Sequence, residues 1–348
     1  MRDILSLTLP ELQEIMQDIH KPKFRASQIY HWLHVRKVTD FAQMTDLSSA
    51  LRTKLQSEFC IKRLFIARKL ASSIDDTVKY LYTLPDGQHV ETVLMHYQHG
   101  WRLCISTQVG CKMGCQFCAS TIAGYVRNLE ASEMLLQIDE TERNAGISIS
   151  GLVLMGIGEP LDNFDNVMRF LELLSDSKGR NMSLRHVTLS TCGIVPRIRE
   201  LAEKKTGLTL AVSLHHPENA GRSRIMPVNR RYPLAELMEA CQYYFAITGR
   251  RVTYEYAVME GENDSMKDAE KLALLLKHQQ AHVNLIPVNA VKERSFHADR
   301  RAAQKFMQYL ETLGIHATVR RTLGSDIDAA CGQLRHEADK EQKTLREE

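Results

Sequence analysis

The chain has 348 residues, 44% of them hydrophobic and 25% charged, with a formal net charge of +3. That length accommodates one large domain plus a smaller module, and the composition excludes a disordered or collagen-like chain. Residues 1–20 hold no apolar run of the signal-peptide type and no later segment reaches the ~20 apolar residues of a membrane span, so a cytoplasmic protein with no membrane partner is expected.

Residues 1–60 read as a helical module. The run "TLPE" ending at Glu11 has the form of a capping box with proline in the first turn, and Leu12, Ile15, Met16 and Ile19 follow at helical spacing. "FRASQIYHWL" and "LSSALRTKL" predict two more short helices. A β-hairpin linker is expected over 61–98, from "TVKYLYTL", the turn "PDGQ" and "HVETVLM".

From about residue 102 the pattern becomes strand, loop, helix, repeated. The apolar strands are "RLCIST", "GLVLMG", "HVTLST", "LTLAVSLH", "RVTYEYAVM" and "HVNLIPV", with helical stretches such as "NFDNVMRFLELLSDSKG" between them. Continuously apolar strands are buried on both faces, as in a parallel sheet covered by helices. Six units are too few for a closed eight-stranded barrel. The expected fold is therefore α/β: a partial (β/α)6 barrel core over 99–335, with the helical accessory domain before it and the hairpin as an extension. "HATVRRT" reads as a final strand, and residues 336–348 as a charged, disordered tail.

Basic residues come in short groups: Lys62, Arg63, Arg68 and Lys69; Arg222 and Arg224; Arg230 and Arg231; Arg250 and Arg251; Arg320 and Arg321. Such groups hold phosphates, or belong to a solvated mixed-charge surface.

Eight cysteines in a reducing compartment point to metal ligands or reactive thiols rather than structural disulfides. Cys111, Cys115 and Cys118 stand in the spacing C-x3-C-x2-C, with Cys104 just upstream. Their loop follows the first β/α strand, and strand C-terminal ends are where β/α barrels carry chemistry. Zinc is one reading. Structural zinc usually gathers four ligands, however, often as two paired elements, and no second C-x2-C is present. Three thiolates in one loop better suit a 4Fe–4S cluster with one iron open to another ligand. Cys192 reads as packing, Cys60 and Cys241 as core residues of helical stretches, and His216 is not taken as a base.

The C-x3-C-x2-C loop, with Phe117 before its last cysteine, resembles the signature of the radical S-adenosylmethionine (SAM) superfamily. "GCKMGCQFCAS", "RNLEASEMLLQ", "MGIGEPLDN", "LSTCGIVP", "SLHHP", "RSRIMPVNRRYPL", "HVNLIPVN" and "DIDAACGQL" follow in order. Together they resemble the RlmN/Cfr family of radical-SAM RNA methyltransferases over nearly the whole chain, and its RlmN branch more closely. The resemblance implies methylation of C2 of an adenine in the peptidyl-transferase centre of 23S rRNA, and of the adenine next to the anticodon in certain tRNAs. It implies Cys111, Cys115 and Cys118 on the cluster, and two SAM molecules per turnover, one cleaved to a 5′-deoxyadenosyl radical. Gly158, Glu159, Ser190, Ser213, Leu214, His215 and Asn289 would contact SAM. Each of these taken singly reads as a tight turn or a satisfied polar or core group.

An adenine C2 carbon has no in-plane lone pair with which to attack a SAM methyl, so a radical route and a separate methyl carrier are needed. By the resemblance, Cys331 carries the methyl and joins the base through a methylene. Glu91 then removes the C2 proton, although from the residues alone it reads as an exposed hairpin glutamate. Cys104 attacks the Cys331 sulfur and releases product, leaving a Cys104–Cys331 disulfide for cellular reductants to reopen. Residues 1–60 would bind RNA, and a monomer is expected. The rivals are C8 methylation of the same rRNA adenine, which confers antibiotic resistance, and a zinc-stabilised RNA-binding protein without catalysis.

Overall fold

The computed structural model describes residues 1–287, 300–321, 323–327 and 334–338. The N-terminal module runs from β1 (Arg2–Asp3) through α1 (Leu9–Asp18), α2 (Phe24–His34) and α3 (Ser49–Glu58) to β2 (Phe59–Cys60), which pairs in parallel with β1. The expected capping box closes: the Thr8 side chain accepts from Glu11 N, and the Glu11 carboxylate accepts from Thr8 N at 2.7 Å. Cys60 departs from expectation. It lies in β2, half-buried, because the chain turns extended at Phe59 and ends α3 at Glu58.

Three antiparallel strands follow, β3 (Phe65–Ala71), β4 (Val78–Thr83) and β5 (His89–Tyr97), and β5 pairs antiparallel with β6 (Gly100–Cys104). The hairpin predicted from sequence is β4–β5. β3 extends it as an exposed edge strand carrying Arg68 and Lys69, with a bulge between Ile66 and Arg68. Beyond β6 lie the short pair β7 (Gln108–Val109) and β8 (Arg127–Asn128), then α4 (Ala131–Ala145). The β/α rhythm continues with β9 (Ile149–Leu154), α5 (Phe164–Ser175), β10 (Val187–Thr191), α6 (Val195–Glu203), β11 (Thr209–Ser213), α7 (Asn219–Ile225) and α8 (Leu234–Thr248). It closes with β12 (Val252–Val258), α9 (Met266–Leu276), β13 (Ala281–Pro287), α10 (Arg300–Thr312) and β14 (Ala317–Val319).

Among the described residues the main sheet has ten strands, in the order β14-β13-β12-β11-β10-β9-β6-β5-β4-β3. From β6 to β14 every neighbour is parallel. The result is an open array of β/α units with "HATVRRT" adding the last parallel strand. Its interior is the apolar strand residues, such as Leu103, Leu152, Leu189, Leu210, Tyr254 and Leu285, all fully buried.

The helical module does not have a core of its own. Ile4, Leu12, Ile29 and Leu33 belong to one hydrophobic cluster with the barrel residues, so α4 and α5 are covered on their outer side by the module. Polar contacts pin the seam: Ser132 N donates to Ser6 Oγ at 3.1 Å, Arg169 pairs with Glu11, and Lys37 lies 3.4 Å from Asp139. At the other end, residues 334–338 form a helical turn. Leu334 and Ala338, four apart and so on one helical face, bury against Leu81. The expected disordered tail is therefore corrected at 336–338, which this packing orders, while 339–348 lie outside the described residues. No helix among the described residues is long and apolar enough to cross a membrane.

Candidate active site

The C-terminal ends of the parallel strands open into a cavity of about 360 Å³. One wall is the cysteine loop. Its two stems are tied by the β7–β8 pairing, and Gly110, with φ +80°, lets them close up: a Cβ there would sit 1.7 Å from the Gly124 carbonyl oxygen. At its tip Gln116 N donates to Ile225 O at 2.9 Å, and Phe117 meets the His215 ring edge-on, centroids 4.7 Å apart. Cys111, Cys115 and Cys118 all line the cavity, and so does Cys104 from the end of β6. Cys115 packs with Cys192, Ile225, Met226, Ala257 and Met259 in an apolar, sulfur-rich patch. Cys192 is thus buried packing beside the loop.

Burial pushes the Cys111 thiol up to about 12, and repulsion from a Cys118 thiolate adds to this. Cys115 is raised further, again by burial first, then by Cys118 and Cys111. Three thiols this close in a dry wall accept negative charge only when a positive centre shares it, which metal coordination supplies. Among the described residues no three His, Cys, Asp or Glu side chains converge on one ion. The buried, mutually repelling loop thiols fit a centre that takes thiolate ligands.

The other strand ends complete the walls. Gly156 and Gly158 pack against the chain leaving β6: a Cβ on Gly156 would meet Ile105 O at 2.6 Å, and one on Gly158 (φ +108°) would meet Gln108 Cβ at 2.6 Å. Glu159 is buried and lines the cavity, but its carboxylate already accepts from Cys192 N at 2.7 Å and Leu161 N at 3.0 Å. Burial raises its pKa against those lowering hydrogen bonds. Ser190 and Ser213 line the cavity from β10 and β11. Leu214 instead turns into the core, fully buried, with its N–H on Glu255 O. His215 also faces the cavity, held in the left-handed region at φ +55°. Its Nδ1 accepts from Ala257 N at 2.9 Å, so Nε2 carries the proton, and burial depresses its pKa to about 3. A neutral imidazole with a fixed tautomer donates a hydrogen bond and does not act as a cation. His216 packs its ring against Gly221 and accepts from Glu218 N, a local structural role.

Three residues that sequence reasoning missed or misread complete the picture. Arg222, grouped above with phosphate-binding residues, is fully buried. It donates to the Leu214, Cys192 and Ser213 carbonyls and to Asn229 Oδ1, at 2.7–3.1 Å. Glu255 on β12 lines the cavity, accepts from Asn284 Nδ2 at 2.8 Å, and is raised by burial against the field of Arg320. Arg320 and Arg321 do reach the cavity wall. The signal for Glu255 was a lone charge within the apolar run "TYEYAV".

Glu91 is not an exposed hairpin residue. Only 1% exposed on β5, it shares a sheet face with Val93 and Met95, which line the cavity and pack on Cys104. Its Oε1 accepts from Arg335 N at 2.7 Å and its Oε2 lies 3.2 Å from Lys79 Nζ. The chain on either side of Cys331 is anchored to the same region. Asp326 accepts from Ser72 Oγ and Ser73 N, Gly324 N donates to Asp75, and the 334–338 turn packs on β4. Cys331 itself and Asn289 lie outside the described residues.

Residues 2–61 match the model of a ribosomal RNA large subunit methyltransferase N-terminal domain, and residues 105–276 match the radical SAM superfamily. The chain is 50% identical, over 96% of its length and 94% of the relative's, to a probable dual-specificity RNA methyltransferase RlmN from Lachnoclostridium phytofermentans. A relative of the same description from Desulforamulus reducens is 49% identical, over 96% and 95%. The chain belongs to the RlmN family of radical-SAM RNA methyltransferases. In three dimensions it is similar to a radical SAM methyltransferase from Sphaerobacter thermophilus, with TM-score 0.90 and 42% identity over 96% of this chain and 99% of that one. Membership brings a 4Fe–4S cluster with three cysteine ligands and SAM, and the thiol-lined cavity fits both.

Proposed function

We propose that this protein methylates C2 of an adenine in 23S rRNA and of the adenine next to the anticodon in tRNA, acting as a cytoplasmic monomer through a methyl group carried on Cys331. The observation that carries the reading is one cavity wall shared by Cys104 and three loop cysteines, with Glu91 beside it bonded to the backbone of Arg335.

Cys111, Cys115 and Cys118 would hold the cluster, and Ser190, Ser213, His215 and the Gly158–Glu159 turn would face SAM, with Asn289 from the segment after β13. When bound, these groups supply the radical that opens an unreactive C–H bond. The protein residues do the rest. Cys331 presents its sulfur-bound carbon to the adenine, and the neutral His215 adds no charge to the dry wall. Glu91 accepts the C2 proton of the adduct. Cys104, buried and on the same face as Met95, attacks the Cys331 sulfur as a thiolate and frees the methylated base. Thiol reductants of the cell reopen the resulting disulfide. Residues 1–60 would read RNA shape outside the barrel and the Arg320–Arg321 pair offers a basic approach at the cavity, with the target base extruded into it.

Two measurements test this. Nucleosides from RNA treated with the enzyme, compared with 2- and 8-methyladenosine standards by mass spectrometry, should contain the 2-isomer; the 8-isomer would replace C2 by C8 as the target carbon. Cys104→Ala should accumulate a denaturation-resistant protein–RNA conjugate and Cys331→Ala should form none. Near-normal turnover by Cys104→Ala would reduce Cys104 to a buried packing residue.

A further inference from the structure

Lys79 sits in the middle of β4, and its side chain has no exposure to water. Removing an ammonium from water costs several kcal/mol, so an apolar residue would be the cheaper choice in this strand. Its neighbours Tyr80 and Leu81 follow that rule. The register sets Lys79 opposite Val93 and Leu81 opposite Glu91, so Lys79 reaches Glu91 diagonally across the strand pair. Nζ lies 3.2 Å from Oε2, and the Glu91 side chain is equally buried. The second carboxylate oxygen is held by Arg335 N at 2.7 Å, and Ser106 Oγ fixes the strand by donating to the Glu91 carbonyl at 2.7 Å. Thr77 and Val93, which flank the pair on this face, both line the cavity.

We propose that Lys79 is a positioning residue for removal of the C2 proton, holding the Glu91 carboxylate aimed while the covalent Cys331–adenine adduct forms. The inference rests on the reading of Glu91 as the base. In the step, the C2–H bond of the radical adduct breaks, its proton passes to a Glu91 oxygen and its electron pair stays with the adenine ring, while the adduct's one unpaired electron would be given up to the oxidised iron–sulfur cluster as one-electron acceptor. A packing role for Lys79 would require only that the site be filled. A positioning role requires a positive charge there, and requires it at one stage of the reaction.

The test uses the full-length, cluster-loaded enzyme with RNA whose target adenine carries protium or deuterium at C2, comparing wild type, Lys79→Met, Lys79→Arg and Glu91→Gln. Lys79→Met should form 5′-deoxyadenosine and methylate Cys331 at wild-type levels. It should then release product about 100-fold more slowly, the scale of a general-base contribution, while a protein–RNA conjugate accumulates and deuterium slows release further. Lys79→Arg should restore most of the rate. Turnover of Lys79→Met within about threefold of wild type overturns the assignment. So does loss of Cys331 methylation in Lys79→Met or Lys79→Arg in step with loss of product, because the lysine would then be architectural. Glu91→Gln should stall in the same way. Normal turnover by Glu91→Gln removes the base reading, and this inference with it. A stall in Glu91→Gln beside normal turnover in Lys79→Met removes Lys79 alone.

Discussion

The two halves of the ten-stranded sheet meet at β6 and treat buried charge differently. On the parallel side, Glu159 and Glu255 are buried in the cavity wall against backbone N–H groups and an amide, and burial raises both toward the neutral acid. The thiols beside them are raised in the same way. On the antiparallel side a carboxylate of equal burial has an ammonium 3.2 Å away. On the proposed reading, one wall surrounds a carbon radical and gains from low charge and little water, and the other takes up a proton through a carboxylate that a lysine holds in place. Joining a parallel array to an antiparallel extension puts the second environment directly behind Thr77 and Val93 of the cavity that the first one lines.

The largest effect that would break this contrast lies in the cysteine loop. Cys111→Ala, Cys115→Ala or Cys118→Ala should abolish 5′-deoxyadenosine formation from SAM while leaving the antiparallel side folded, as read by chromatography of the reaction and circular dichroism. A variant with normal SAM cleavage would remove that residue from the ligand set.

Next comes Arg222, the buried cation that the parallel side uses as a brace rather than as a partner for an acid. Arg222→Met leaves three strand-end carbonyls and Asn229 without their donor, and should cost about 2–3 kcal/mol of stability, within the range for leaving buried hydrogen-bonding groups unsatisfied. Thermal unfolding measures it, and a loss below about 1 kcal/mol would mean that water takes over the guanidinium's contacts.

The smallest effect serves as a control outside both halves. His34 is buried against Tyr30 within the N-terminal module, at the end of α2, ring centroids 4.3 Å apart, and burial depresses its pKa to about 4. Its unfolded value is near 6.5, so its contribution is complete above that pH and is lost as pH falls toward 4. Between pH 7 and pH 5 the protein should lose about 2 kcal/mol through this residue. In His34→Phe, denaturant unfolding at the two pH values should show that much less acid sensitivity. An unchanged pH slope would mean that His34 gains a solvent path in the native state.

Much of this architecture is legible in the sequence because it depends on local pattern. The parallel strands announce themselves as continuous apolar runs, the Thr8 cap as a spaced Thr and Glu, and the metal loop as a cysteine rhythm. What escapes is set by distant chain. β3 reads as no strand because an exposed edge places no demand for apolar alternation on "FIARKLA". Glu91 reads as a surface residue because the turn that covers it arrives more than 240 positions later, at Arg335. Arg222 reads as a phosphate contact or a solvated surface charge because the carbonyls it braces come from the ends of β10 and β11 through folding alone.

An open sheet, unlike a closed barrel, is left with two rims. β14 is only three residues long, which limits what can add to it. β3 is seven residues long and exposes Phe65 and Ile66, the profile of a strand that recruits other chains. Its bulge breaks the regular ladder between Ile66 and Arg68, Lys69 leans over the Tyr80 ring while donating to Asn144, and the Arg63 guanidinium caps the Phe65 ring. The same bulge and positive charge disfavour strand-to-strand aggregation, so the rim of an open sheet stays an edge without becoming a template.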